Sequence, residues 1–250
     1  MSLLKRFAKI ALGLCFACGM LGVPPASAGG LQVLPTTLSL APDKNAGGLW
    51  LSNTSDRPIN AQVRAYRWTQ EGGADQLTPS AEIQASPPML QIPAGGRQLV
   101  RVVRLRPPPS GAVEEAYRLV INELPVKQPG QKGLSYVVQY SLPVFLQPSA
   151  PAQTPRLEWA LERGPDAQVV LVASNQGAQR AQLASLDFVD HEGRRTELIS
   201  GLAGYVLPGS TMRWTLEASE QVFAGGGTLE VMVNGEKSSA ENLSLTAASR

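Results

Sequence analysis

Leu49-Trp50-Leu51-Ser52-Asn53-Thr54-Ser55-Asp56-Arg57-Pro58-Ile59-Asn60-Ala61-Gln62-Val63-Arg64-Ala65-Tyr66-Arg67-Trp68 decides the fold class. Leu49 and Leu51 share one parity. After the turn cluster Asn53-Thr54-Ser55-Asp56, Ile59, Ala61, Val63 and Ala65 alternate with Asn60, Gln62 and Arg64. Side chains of a strand point to opposite faces with period two, so each run reads as a half-buried strand. The turn residues between them read as a reversal. Two such strands separated by a turn point to an antiparallel sheet.

The same pattern continues on both sides. Strands are expected at Leu99–Leu105, Tyr117–Ile121 and, as one long strand, Leu134–Leu146. Further strands follow at Val169–Ala173, Gln182–Phe188, Thr211–Leu216, Leu229–Val233 and Leu243–Leu245. Glu71-Gly72-Gly73, Pro93-Ala94-Gly95-Gly96, His191-Glu192-Gly193 and Asn234-Gly235 separate them as turns. No long run has the 3.6-residue period of a helix. Many short strands with frequent turn signals predict an all-β protein built of antiparallel sandwiches.

The segment Gln147 to Pro155, QPSAPAQTP, has three prolines in nine residues. It cannot be a central strand and suits a semi-rigid linker. It predicts two immunoglobulin-like sandwiches, residues 29–148 and 156–250, joined by a linker at 149–155. Each is near the ordinary size of that fold.

At the start, Lys5, Arg6 and Lys9 precede an apolar run from Ile10 to Val23, then Ala26-Ser27-Ala28. Basic residues, a short apolar core and a small-residue site form a secretory signal, residues 1–28, with cleavage expected after Ala28. Both cysteines, Cys15 and Cys18, fall inside it, so the exported part has no disulfide and no thiolate metal site. The chain has 22 Lys and Arg against 20 Asp and Glu; three of the basic residues and none of the acidic ones lie in the signal, leaving a net charge of −1. The charges are scattered, which excludes the basic stripe of a nucleic-acid binder.

Catalytic constellations are absent. His191 is the only histidine and sits in a turn, Asp190-His191-Glu192-Gly193. Gly225-Gly226-Gly227 is followed by strand-like Thr228–Val233, so it reads as a hairpin connection rather than a phosphate cradle. Glu114 and Glu115 are adjacent, so on a strand they point to opposite faces. No cofactor or metal is expected, and the chain reads as a binding protein, not an enzyme.

The binding feature is GLSYVVQYSLPVFLQ, residues 133–147. Leu134, Tyr136, Val138, Tyr140 and Leu142 share one parity, while Ser135, Val137, Gln139 and Ser141 share the other. Pro143 lacks an amide donor, which fits an edge strand. A long apolar edge invites pairing with another chain, whereas the same pattern also describes an ordinary core strand. Burying four such side chains on a partner contributes about 6 to 12 kcal/mol. Association costs about 4 to 15 kcal/mol, so ladder bonds and a second contact surface are needed.

SPPMLQIPAGGRQLVRVVRL (86–105), YRLVINELP (117–125), YSLPVFLQP (140–148) and LWLSNTSDRPINAQVRAYRW (49–68) resemble, in order and spacing, the first domain of the periplasmic chaperones of the chaperone–usher pilus pathway. QVVLVASNQG (168–177) and GYVLPGSTMRWTL (204–216) resemble the second domain, in its spore-coat/Csu-like branch. The resemblance implies an L-shaped pair of domains and donor-strand complementation. The last strand of the first domain completes the unfinished fold of a pilin subunit, which an outer-membrane usher then receives. Leu134, Tyr136, Val138 and Tyr140 would be the donated side chains. It also implies self-association when free of a subunit. The cations that anchor the subunit's terminal carboxylate in the better-known branch fall here on Thr37 and Pro143, which carry no charge. Arg101 and Arg104 are the nearest candidates for an anchor, unless they serve only solubility. An alternative reading is an extracytoplasmic immunoglobulin-like module that binds carbohydrate or a surface protein through loop aromatics such as Tyr66, Trp68 and Trp214.

Overall fold

The structure, a computed structural model, describes residues 30–108, 111–125, 137–150 and 154–246. The first ten strands are β1 (Leu31–Leu34), β2 (Leu38–Leu40), β3 (Ala46–Asn53), β4 (Ile59–Glu71), β5 (Ala74–Pro79), β6 (Ile83–Ser86), β7 (Met89–Ile92), β8 (Arg97–Arg104), β9 (Glu115–Leu124) and β10 (Gln139–Leu146). They form two facing sheets, ordered β1-β3-β8-β6 and β2-β10-β9-β4-β5, with β7 also on β4. One parity of each strand supplies the core between them: Leu49 and Leu51, Ile59, Ala61 and Val63, Val100 and Val102, Tyr117, Leu119 and Ile121 are all buried. Fully burying an aliphatic or aromatic side chain of this kind stabilises by about 1.5–3 kcal/mol.

The chain changes sheets between β1 and β2. β1 pairs antiparallel with β3 in one sheet, and β2 pairs parallel with β10 in the other. This crossing leaves both sheets with a border on the same side, where β10 lies.

The second sandwich contains β11 (Leu157–Arg163), β12 (Val169–Asn175), β13 (Ala181–Asp190), β14 (Arg195–Val206), β15 (Thr211–Leu216), β16 (Gly227–Val233), β17 (Glu236–Leu243) and β18 (Leu245–Thr246). Its sheets run β15-β12-β11-β18 and β14-β13-β16-β17. Phe188 and Phe223 pack edge to face at 4.9 Å in its core.

Several details differ from the sequence reading. Strands β1, β2, β5, β6, β7, β11 and β14 and most of β17 were not expected. The pairing of β14 with β13 is broken by register shifts near Leu183–Asp187, so its apolar residues lose strict alternation. The triple glycine is not a hairpin. It follows a single-turn helix α1 (Glu220–Phe223) and carries the chain from β15 in one sheet to β16 in the other. Gly227 is required there, because a Cβ would lie 2.4 Å from Val189 O.

One device recurs in both sandwiches. Asn53 ends β3 and is buried; its Nδ2 donates to Ile92 O and Pro93 O, and its Oδ1 accepts from Ser55 N–H. Asn175 ends β12 and is buried; its Nδ2 donates to Gln179 O and Val206 O, and its Oδ1 accepts from Gly177 N–H. A buried amide of this kind closes a turn by satisfying backbone groups that lack other partners. Asn53→Ala is expected to cost about 2–4 kcal/mol, since each orphaned buried group costs about 1–3 kcal/mol. Urea unfolding checks this; an unchanged midpoint would show that water replaces the amide.

Candidate functional site

The site is built on β10. Its even-numbered residues face the core of the first sandwich and emerge from it progressively. Val144 and Leu146 are fully buried, Leu142 nearly so, Tyr140 is half-buried and Val138, just before the strand, is 38% exposed. Tyr140 packs against the core, and its hydroxyl donates to Leu31 O on β1, joining the borders of the two sheets.

The backbone of β10 is paired along its full length with β9, from Gln139 opposite Asn122 to Leu146 opposite Glu115. On the other side β2 covers only Val144, Phe145 and Leu146. Glu123 N–H donates to Val138 O, whereas Gln147 N–H donates to Leu40 O. Even-numbered backbone groups therefore point to β9, and odd-numbered ones point to β2 or past its end. Among the described residues no strand covers the amides and carbonyls of Gln139 and Ser141, so they lie on an open edge. Pro143 ends that edge, because it has no N–H to offer.

The cation at this edge is Arg118. It stands opposite Pro143 on β9, and its Nη1 donates to Ser141 O at 3.3 Å. Its guanidinium lies 3.7 Å over the Trp68 ring centroid and 5.8 Å from that of Tyr205. Asp75 approaches only to 3.9 Å. Burial lowers the pKa of the guanidinium, with Asp75 opposing the shift. Thr37 precedes Leu38, which pairs with Val144, so Thr37 falls beside Pro143. Arg118 therefore supplies charge next to the two neutral positions.

Behind Arg118 the two sandwiches meet. Trp68, Ala116 and Phe145 of the first form one buried cluster with Tyr205 and Leu207 of the second. The three rings lie 5.5–6.0 Å apart. Gln70 Nε2 donates to Tyr205 O, and its Oε1 accepts from Leu207 N–H, both at 2.8 Å. Glu114 pairs with Arg180, whose guanidinium stacks 3.7 Å over Phe145. Burial raises the pKa of Glu114 despite Arg180. Phe145 belongs to β10, so the strand that bears the open edge is also pinned in the junction.

Glu115 points the other way, as adjacent strand residues must. It joins Arg67, Arg106, Glu82 and Tyr117 in one network. Burial opposes ionisation of Glu115, but hydrogen bonds from Arg106 and Tyr117 and the charge of Arg67 hold its pKa below the usual range. Burial, with the Glu82 contact, pushes the Tyr117 hydroxyl up. Two arginines and two carboxylates balance, so the network offers no spare charge.

Leu134 and Tyr136 lie outside the described residues, and the long strand predicted from Leu134 is seen only from Gln139. The two anchor candidates do not border the β10 edge. Arg101 is on the outer face of the opposite sheet, paired across strands with Gly48 and Ser86. Arg104 has the inward parity of β8; it is buried and donates to Pro42 O and Asn45 Oδ1. Arg118 was missed because a cation between Tyr117 and Leu119 looks like any outward residue of a strand. Its opposition to Pro143 is a matter of register.

The loop-aromatic reading is also corrected. Trp68 is buried at the junction, and Tyr66 and Trp214 are half-buried on β4 and β15. Asp190 Oδ1 accepts from the amides of Glu192 and Arg194, closing the turn that carries His191. Among the described residues no group of three or more His, Cys, Asp and Glu is placed to hold a metal ion.

Residues 30–152 match the family described as pili and flagellar-assembly chaperone, PapD N-terminal domain. No curated protein matches the chain in sequence. Among solved structures, the chain is similar to the CsuC–CsuE chaperone–tip subunit pre-assembly complex of the archaic Csu pili of Acinetobacter baumannii, at 22% identity over 88% of this chain and 99% of that one, with a TM-score of 0.65. It is also similar to the CupB2 chaperone of Pseudomonas aeruginosa, at 19% identity over 85% and 100%, with a TM-score of 0.57. A Salmonella enterica SafA pilin–SafB chaperone complex aligns at 18% identity over 85% and 96%, with a TM-score of 0.59. The first sandwich of this chain belongs to the PapD family of pilus-assembly chaperones, and its two sandwiches together have the fold of the chaperone–usher chaperones, the Csu-like branch among them.

Proposed function

We propose that the chain is a periplasmic chaperone that binds pilus subunits by lending them the edge of β10 and passes them to an outer-membrane usher. The single observation that carries this reading is the uncovered edge at Gln139 and Ser141, continuous with an apolar side-chain series that leaves its own core at Val138. In this reading a subunit strand pairs with those backbone groups. Leu134, Tyr136 and Val138 fill the subunit's groove. Tyr140, half-held by its own core, marks the end of the donated series. Each new ladder bond contributes about 0.5–1.5 kcal/mol, and the buried side chains supply most of the rest. Arg118 receives the subunit's terminal carboxylate in the cleft, beside Thr37 and Pro143. Binding needs no metal, cofactor or catalysis. Two of the similar solved structures are themselves chaperone–subunit complexes, which supports the same kind of partner here. The signal at 1–28 would deliver the chain to the periplasm.

Amide hydrogen exchange tests the edge directly. Co-expressed candidate subunits should slow exchange at Gln139 and Ser141, while amides of β17 stay unchanged. In the same assay Arg118→Gln should weaken subunit retention about 10- to 100-fold, the range for a lost hydrogen bond to a charged group. Exchange at Gln139 and Ser141 that is indifferent to a retained subunit would rule out strand pairing there.

A further inference from the structure

The outer face of the β1-β3-β8-β6 sheet has a composition that the proposed function does not use. Cross-strand register sets Leu34 beside Trp50 and Trp50 beside Leu99, an unbroken apolar row over three strands. Leu34 is 65% exposed and Trp50 is 41% exposed. Leu99 leans over Gly48, where a Cβ would come within 2.9 Å of its Cδ1, so the glycine lets the row lie flat. Arg97 stacks over Trp50 with its guanidinium 4.7 Å from the ring centroid. Arg101 follows four positions after Arg97 on β8, opposite Gly48.

The outward positions of these four strands include Arg97 and Arg101 and no carboxylate. Among the described residues neither arginine makes an ion pair, whereas Arg67, Arg106, Arg180, Arg195 and Arg213 all do. An exposed tryptophan beneath an arginine, set in an apolar row, has the make-up of a protein-interface hot spot. An exposed apolar patch with uncompensated positive charge is complementary to one kind of surface only.

We infer that this face docks a second protein through a segment in which an aromatic or aliphatic side chain is flanked by carboxylates. The apolar side chain packs on Trp50 and Leu34, and the carboxylates pair with Arg97 and Arg101. A second copy of the chain does not fit face to face. Apposing two such faces brings the arginines of both copies together with no acid between them. The face lies on the sheet opposite β10. The inference does not depend on the client reading and is tested without a client.

A random dodecapeptide phage library panned on the whole chain provides the test. Enriched peptides should carry Phe, Trp or Leu next to Asp or Glu. Synthetic versions should bind about 30-fold more weakly to Trp50→Ser and to Arg97→Ala, the loss of a typical hot spot. Arg97→Glu should reject the acidic peptide and accept its lysine-flanked counterpart, a swap that misfolding cannot produce. The inference is overturned if no peptide is enriched, if enriched peptides lack carboxylates, or if Trp50→Ser binds them as well as the parent. Sedimentation that shows a dimer dispersed by Trp50→Ser would overturn it in favour of self-association.

Discussion

The double substitution Tyr136→Asp/Val138→Asp is expected to abolish recovery of a pilus subunit with the chain while leaving the chain folded. Val138 is already 38% exposed and precedes the strand, so a carboxylate there meets water in the free protein. In a subunit groove the same carboxylate would be buried without a partner, which is strongly unfavourable. The lost burial of two large side chains alone is about 3–6 kcal/mol, or roughly 10²- to 10⁴-fold in affinity. Ser238→Asp/Ser239→Asp is the matched control: it adds the same two charges at exposed positions of β17, in the second sandwich. Co-purification from the periplasm, with thermal unfolding of each variant alone, reads both effects. A subunit retained at parental levels by the double variant would refute the donated series.

Trp68→Ala is expected to have the largest effect on stability, about 3–5 kcal/mol, the cost of removing a large buried aromatic. Trp68 touches Phe145 of its own sandwich and Tyr205 of the other, so the loss falls on the junction as well as on the first core. It also removes the surface on which Arg118 rests. Unfolding of the parent by urea should be one cooperative transition, because the aromatic cluster and the Gln70 clamp couple the sandwiches. In the variant the two should separate, with the first sandwich melting earlier. A cycle of Trp68→Ala and Tyr205→Ala should show a coupling of about 0.5–1.5 kcal/mol beyond additivity, as for a packed aromatic pair. Additive effects and an unsplit transition would mean that the junction holds by other contacts.

Both predictions rest on strands that could be read from residue order. The alternation of Ile59, Ala61 and Val63, and of Tyr117, Leu119 and Ile121, is visible in one dimension because a strand repeats every two residues. Strand β14 escaped that reading, since bulges in its partner break the repeat. Trp68 shows the same limit for the site. Its parity marks it as outward, and outward ordinarily means solvent, but in this protein the second sandwich covers it.

Arg101 and Arg104 show it again. Both are basic residues of one strand, three positions apart, yet one is on the outer surface and the other faces into the core. Arg118, on another strand, is the arginine that meets the open edge.

Residue order by itself determined what each short segment can be: all-β, two sandwiches, and an apolar series ending near Pro143. Those are local properties, set by backbone period, by proline's missing amide and by composition. Tertiary structure alone decided which edge is left uncovered, that Arg118 lies across from Pro143, and that Phe145 and Trp68 are shared with the second sandwich. These depend on register and on which strand stops short, and here β2 covers β10 only from Val144 onward. Pairing between distant segments is a property of the folded sheet, so no local pattern encodes it.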